Sequence, residues 1–181
     1  PALSTSCNAY FCWGLYHMLS NRQKYKNLDD AMNRWRDYMV SMGFGYKLGI
    51  DLPGEKRGLI PNAEFYNNAF DRWNPLTVIS ISIGQGEINL TPLQIANLGA
   101  IIANRGYYYT PHVVRHIQGQ RLDKKYTTKH IAMGTPQAYK EVVAGMASSV
   151  IGGTCAFAPH PGYTLAGKTG TAQNRGKDHS V

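Results

Sequence analysis

Residues 8–19 form the segment that most narrows what this chain can fold into. Ala9, Tyr10, Phe11, Cys12, Trp13, Leu15, Tyr16, Met18 and Leu19 leave a helix there with almost no polar face. A helix that is apolar all round belongs in the middle of a domain, with other elements packed about it. It cannot cross a membrane, because a span needs roughly 18 or more uninterrupted apolar residues. With 181 residues, 43% of them apolar and 17% charged, the chain has the means to build a core around that helix, and its composition argues against disorder.

The segments that follow supply candidates for the packing. Residues 28–42 place Leu28, Ala31, Met32, Trp35, Tyr38, Met39 and Met42 on one helical stripe, with Asp29, Asp30, Asn33, Arg36 and Asp37 facing out. Thr91-Pro92 and Thr135-Pro136 each pair a capping hydroxyl with a proline at the first helical position, so helices are expected after both. The second should turn Tyr139, Val142, Val143, Met146, Ala147 and Val150 toward a core and stop at Gly152-Gly153. Residues 49–61 are rich in Gly and Pro and read as turns. Residues 78–83 are β-branched and partly alternating, which suits a short strand. Residues 107–117 read as an extended edge segment. Residues 163–171 read as a strand, and a turn near Gly176 leads to another at 179–181. The expected whole is one mostly helical unit with a strand or two at its far end.

Several chemistries are disfavoured. The net charge of +8 comes from basic residues scattered along the chain, which suits a solvated surface better than a nucleic-acid groove. Cys7, Cys12 and Cys155 contain no C-x-x-C pair and are odd in number, so they read as small buried hydrophobes. His112 and His116 lie in an extended segment without a third ligand, so no metal site is expected. No cofactor motif occurs. Gly84-Gln85-Gly86 lacks the Gly-Lys-Ser/Thr of a phosphate loop.

Two short patterns can carry chemistry. Ser6-Cys7-Asn8 sets a hydroxyl and a carboxamide at the mouth of the apolar helix; it equally suits an ordinary helix cap. Lys168-Thr169-Gly170-Thr171 supplies a cation, two hydroxyls and a glycine that lets another backbone lie close; alone it equally suits an exposed strand end. Together the two could hold an acyl-donor peptide that ends in a free carboxylate. S-x-N and K-T-G triplets occur as one set with S-x-x-K in serine acyl-transfer enzymes. No S-x-x-K occurs in this sequence.

The surrounding wording extends the match. GIDLPGE at 49–55, IGQG at 83–86, LTPLQIA at 90–96, ANRG at 103–106, Gly152-Gly153-Thr154 and AGKTGTAQ at 166–173 keep one order. In that order they resemble the transpeptidase domain of class B high-molecular-weight penicillin-binding proteins, over essentially the whole chain. The cell-elongation members are the most similar and the division-type members the near alternative.

The resemblance implies an α+β chain of the serine β-lactamase and D,D-peptidase fold, comprising its mostly helical half plus the strand that carries the K-T-G motif. Residues 1–181 are then expected to be a partial domain, without the upstream S-x-x-K segment and the C-terminal strands and helix. By the same resemblance Ser6 relays a proton and Asn8 bonds the substrate amide. Lys168 stabilises charge around Ser6 and the substrate. Thr169, Gly170 and Thr171 bind the donor's carboxylate end, and the Thr171 N–H is half of an oxyanion hole. The implied reaction is serine acyl transfer, cross-linking peptidoglycan stem peptides that end in D-alanyl-D-alanine, with no metal or cofactor. Expected partners are stem peptides, β-lactams, a polytopic membrane glycan polymerase and other cell-wall synthesis proteins; nucleic acid is not expected. The parent should be anchored in the bacterial inner membrane with this domain on the periplasmic side. Alternatives left open are an inactive scaffold in a cell-wall complex and a β-lactamase or β-lactam sensor.

Overall fold

A computed structural model of the protein describes residues 1–158, 161–174 and 177–180. The expected turn at Gly176 and the chain's last residue lie outside the described residues. The amphipathic stripe after Asn27 forms helix α2, Leu28–Ser41. The Asn27 side chain caps it by accepting from the Asp30 N–H, and Asp29 and Asp30 in the first turn suit the positive end of the helix dipole. Ala31, Met32 and Trp35 are buried against Leu15 and Leu19 of helix α1, Asn8–Ser20. A short helix α3, Ala63–Ala69, capped by Asn62, completes this core with Tyr66. Burial of each large apolar side chain here contributes roughly 1.5–3 kcal/mol relative to exposure.

Helix α1 is not enclosed as its sequence suggests. Only Leu15 and Leu19 are buried, while Tyr10 is 62% and Trp13 64% exposed. Its neighbours, α2 and a 3₁₀ turn at Ile79–Ile83, cover one side and leave the Tyr10–Trp13 side open. That 3₁₀ turn is itself a correction, since the β-branched run 78–83 was expected to be extended. Two features wind it up. Gly84 takes a left-handed φ of 75° and its N–H reaches back to the carbonyls of Ile81 and Ser80, and the Ser82 hydroxyl donates to the Ile79 carbonyl. With Val78 and Ile81 buried in the α1–α2 core, the described residues include no neighbouring strand to offer a ladder.

Helix α4, Pro92–Ala103, begins at Thr91 with a full capping box, Gln94 being the reciprocal partner. The Gln94 side chain then does more. Its Nε2 shares two hydrogens among the carbonyls of Gly43 (3.2 Å), Tyr46 (3.1 Å) and Arg57 (3.0 Å), tying α4 to the end of α2 and to the Gly-rich excursion. Strand β1, Tyr107–Tyr109, pairs antiparallel with β2, Lys129–Ile131, with a one-turn helix α5, Lys124–Thr127, between them. Regular pairing thus covers only the start of the segment expected to be extended. A second small core gathers Ile101, Tyr108, Ala132 and Tyr139.

Helix α6, Pro136–Gly152, starts at Thr135 as its cap and buries Tyr139, Ser149 and Val150. After it come β3, Thr171–Asn174, and β4, Lys177–Ser180, paired antiparallel. The strand expected over 163–171 therefore begins only at Thr171, and the K-T-G triplet precedes it in irregular backbone. Residues 164–170 lie along α6 instead, where Gly167 N–H donates to the Met146 carbonyl. The described residues include no neighbouring strand for them to pair with. The cysteines split: Cys155 is buried as expected, whereas Cys7 and Cys12 are half-buried.

Candidate active site

Residues 1–7 fold back on themselves ahead of α1, with the Cys7 N–H donating to the Ala2 carbonyl and the Thr5 N–H to that of Pro1. This coil is fastened to the end of α6 by the Thr154 N–H, which donates to the Ser4 carbonyl at 3.0 Å. Gly153 makes the approach possible, because a Cβ there would collide with that same carbonyl. The fold-back leaves Ser6 with a φ of 52°, in the left-handed region where a non-glycine residue is strained. Strain of this kind, held in place by surrounding contacts, gathers at functional positions.

The strained turn aims the serine. Lys168 Nζ donates to Ser6 Oγ at 2.7 Å and to the Thr169 carbonyl at 2.7 Å. Lys168 Nζ is a charged donor, and its strongest partner would be an anion. Asn8 stands exposed in the first turn of α1, two residues beyond Ser6 and at the same helix mouth. The structure thus brings Ser6 and Lys168 into direct contact, while Asn8 is placed only by its position two residues on, at the start of α1.

The hydroxyls of the K-T-G-T run are not equivalent. Thr169 Oγ1 donates to Thr154 Oγ1 at 3.1 Å, and Thr154 Oγ1 lies 3.3 Å from Ser149 Oγ, a chain of three hydroxyls leading onto α6. Gly170 separates Thr169 from Thr171, which opens β3 and is exposed. Two participants escape sequence reasoning. Thr154 figures there only within the Gly152-Gly153-Thr154 wording, and Gln85 only within a turn; Gln85 Nε2 donates to the Thr171 carbonyl at 2.9 Å. Nearby, Glu87 accepts from the Tyr66 hydroxyl at 2.9 Å; burial, reinforced by that carboxylate, pushes the Tyr66 hydroxyl well above its ordinary range.

A serine held by a lysine at a helix mouth, with Thr171 opening a strand directly after the K-T-G triplet, matches the motif pair that occurs together in serine acyl-transfer enzymes. The description "Penicillin binding protein transpeptidase domain" fits residues 1–181, and the chain belongs to that family. It is 37% identical over 179 residues to the peptidoglycan D,D-transpeptidase MrdA of Acinetobacter baumannii, an alignment covering 95% of this chain and 24% of that protein. The chain thus spans about a quarter of the length of that curated relative. Among solved structures it resembles Pseudomonas aeruginosa PBP2 in complex with WCK 5153, with a TM-score of 0.78 at 30% identity over 99% of this chain and 39% of the other. It also resembles Helicobacter pylori PBP2 in a complex with MreC, with a TM-score of 0.73 at 26% identity, covering 99% of this chain and 31% of that one.

Proposed function

We propose that this chain carries the second and third catalytic motifs of a peptidoglycan D,D-transpeptidase of the cell-elongation type. The observation that carries the reading is the 2.7 Å bond between Lys168 Nζ and Ser6 Oγ. It joins the S-x-N and K-T-G-T motifs into one proton-handling, carboxylate-binding unit. The subfamily rests on the similarity to MrdA and PBP2 proteins.

In this reading a serine from an S-x-x-K segment elsewhere in the parent polypeptide attacks the donor's penultimate D-alanine carbonyl. The serine Oγ–C bond forms and the peptide C–N bond breaks. The hydroxyl proton passes through Ser6 to the leaving D-alanine amine, and Lys168 steadies the charge around that transfer. Asn8 bonds the donor's amide. Thr171 and Thr169 receive the terminal carboxylate, Thr169 after its hydroxyl turns from Thr154. The Thr171 N–H faces the oxygen on which negative charge develops. In the second half an amine of a neighbouring stem attacks the ester carbon. The new C–N bond forms, the Oγ–C bond breaks, and the amine's proton returns to the serine. A β-lactam in the donor's place stops at the first half.

Residues 1–181 are in this reading a partial transpeptidase domain, completed by the upstream segment and by further strands and a helix. The parent is anchored in the inner membrane with this domain outside, working beside a glycan polymerase and other cell-wall proteins. A structural relative in complex with MreC supports such partners.

The test is labelling with a fluorescent penicillin. The full-length protein should take up covalent label, and Lys168→Ala should take it up far more slowly while remaining folded. A well-folded full-length protein that takes up no label overturns the enzyme reading in favour of a scaffold.

A further inference from the structure

The backbone of Gln85 is fixed more firmly than its place in a surface turn suggests. Its N–H donates to the Ser80 carbonyl at 3.1 Å, behind the left-handed Gly84. The 3₁₀ turn below it touches α1 where Ser82 Oγ, its proton on the Ile79 carbonyl, lies 3.2 Å from Cys12 Sγ. The base of Gln85 is therefore tied, through the 3₁₀ turn, to the helix whose mouth presents Ser6 and Asn8. Its side chain spans to the other half of the site, where Nε2 holds the Thr171 carbonyl at 2.9 Å.

That carbonyl is where a brace has most effect. The run before it, residues 164–170, is in no strand of the described residues, and its contacts there include Gly167 on α6, Lys168 on Ser6 and Thr169 on Thr154. Gly170 then removes the side chain that could have packed the next position. In extended backbone the N–H and C=O of one residue point to the same edge of the strand. A donor that holds the Thr171 carbonyl therefore restrains, through the φ and ψ of Thr171, the edge to which its N–H points.

We infer that Gln85 is a positioning residue, a bridge from the α1 side of the site that aims the Thr171 N–H at the oxygen of the reacting carbonyl. The inference rests on the proposed acyl-transfer function. Gln85 touches no substrate atom in this scheme; it acts through Thr171. Losing an oxyanion donor outright costs about 10²- to 10³-fold in rate, so misdirecting one should cost less, about 10- to 100-fold in the acylation step.

The experiment uses the full-length protein and stopped-flow acylation by a fluorescent penicillin over a concentration series, which separates the acylation rate constant from the non-covalent binding step. Gln85→Met removes the donor at similar size. Its acylation constant should fall about 10- to 100-fold while non-covalent binding changes by less than about threefold. Gln85→Glu provides a readout that a loss of folding cannot imitate. Ionised, it sets a carboxylate against the carbonyl; protonated, it regains an O–H donor. Its rate relative to wild type should therefore recover as the pH falls toward the carboxyl's own range, about 4.3 in water and higher beside a carbonyl. A Gln85→Met acylation constant within twofold of wild type, or a Gln85→Glu deficit that does not shrink in acid, overturns the inference and leaves the proposed function standing. Absence of acylation in the wild type overturns the proposed function itself.

Discussion

Lys168 and Ser6, 162 residues apart in sequence, meet at 2.7 Å between Nζ and Oγ. The bond closes a loop through nearly the whole chain: the coil at 1–7 rests on the end of α6, and the K-T-G-T run lies along that same helix. If the pair acts as one unit, its two members should not contribute independently. Ser6→Ala and Lys168→Ala should each slow acylation of the full-length protein about 10²- to 10³-fold. The double variant should be little slower than the worse single one. A fluorescent-penicillin rate for the double variant that equals the product of the two single losses would show that the bond carries no catalytic coupling.

Ser6 has a cost apart from its chemistry. Its φ of 52° is one that glycine adopts freely and alanine does not. Ser6→Gly and Ser6→Ala remove the same hydroxyl, so any difference between them reports the backbone alone. The glycine variant should be more stable than the alanine variant by about 1 kcal/mol in urea unfolding. Equal stabilities would mean that the turn relaxes and that Ser6 is not held in strain.

Gln94 is the buried polar hub of the helical half. Gln94→Leu keeps the approximate volume but strands the carbonyls of Gly43, Tyr46 and Arg57 and breaks the capping box with Thr91. At about 1–3 kcal/mol for each buried group left unsatisfied, the loss should reach about 3–4 kcal/mol. Thr91→Ala, which removes only a cap, should cost about 1 kcal/mol. Thermal melts that rank these two variants the other way round would show that the three carbonyls find water instead.

The features legible in the sequence are those whose physics is local. Thr91-Pro92 and Thr135-Pro136 start helices as expected, because a cap hydroxyl and a proline at the first position act within one turn. Helix α3 is invisible to periodicity since seven residues carry too little of it, and Asn62 alone marks its start. The run at 78–83 misleads because β-branched residues favour a strand only where a neighbouring strand exists. Helix α1 looks central by composition, yet which of its faces is covered depends on elements far along the chain. The site divides in the same way. Ser6, Asn8 and the K-T-G-T run are short patterns that sequence displays, whereas Thr154 and Gln85 matter through contacts 15 and 86 residues away in sequence.

The last prediction concerns the turn-rich excursion at 49–55, whose two carboxylates do different work. Glu55 accepts from the N–H groups of Leu48, Gly49 and Ile50 and shapes the loop itself. Asp51 reaches outward and accepts from the N–H groups of Val113 and Val114, fastening the loop to the segment after β1. The Val114 N–H, the largest influence, holds the Asp51 carboxyl below its ordinary value of 3.8; partial desolvation opposes it and the Val113 N–H adds to it. A carboxyl whose folded pKa is depressed favours the folded contact above its unfolded pKa, and that contribution disappears as the pH falls through the folded value. The fastening should therefore be complete at neutral pH and should open only as the pH falls from 3.8 through the depressed folded value. Hydrogen exchange checks this directly. The Val113 and Val114 amides, corrected for intrinsic rates, should lose protection as the pH falls through the depressed folded value in the wild type and lack it at every pH in Asp51→Ala. Protection that persists in Asp51→Ala would assign the fastening to other contacts of the 110–114 segment.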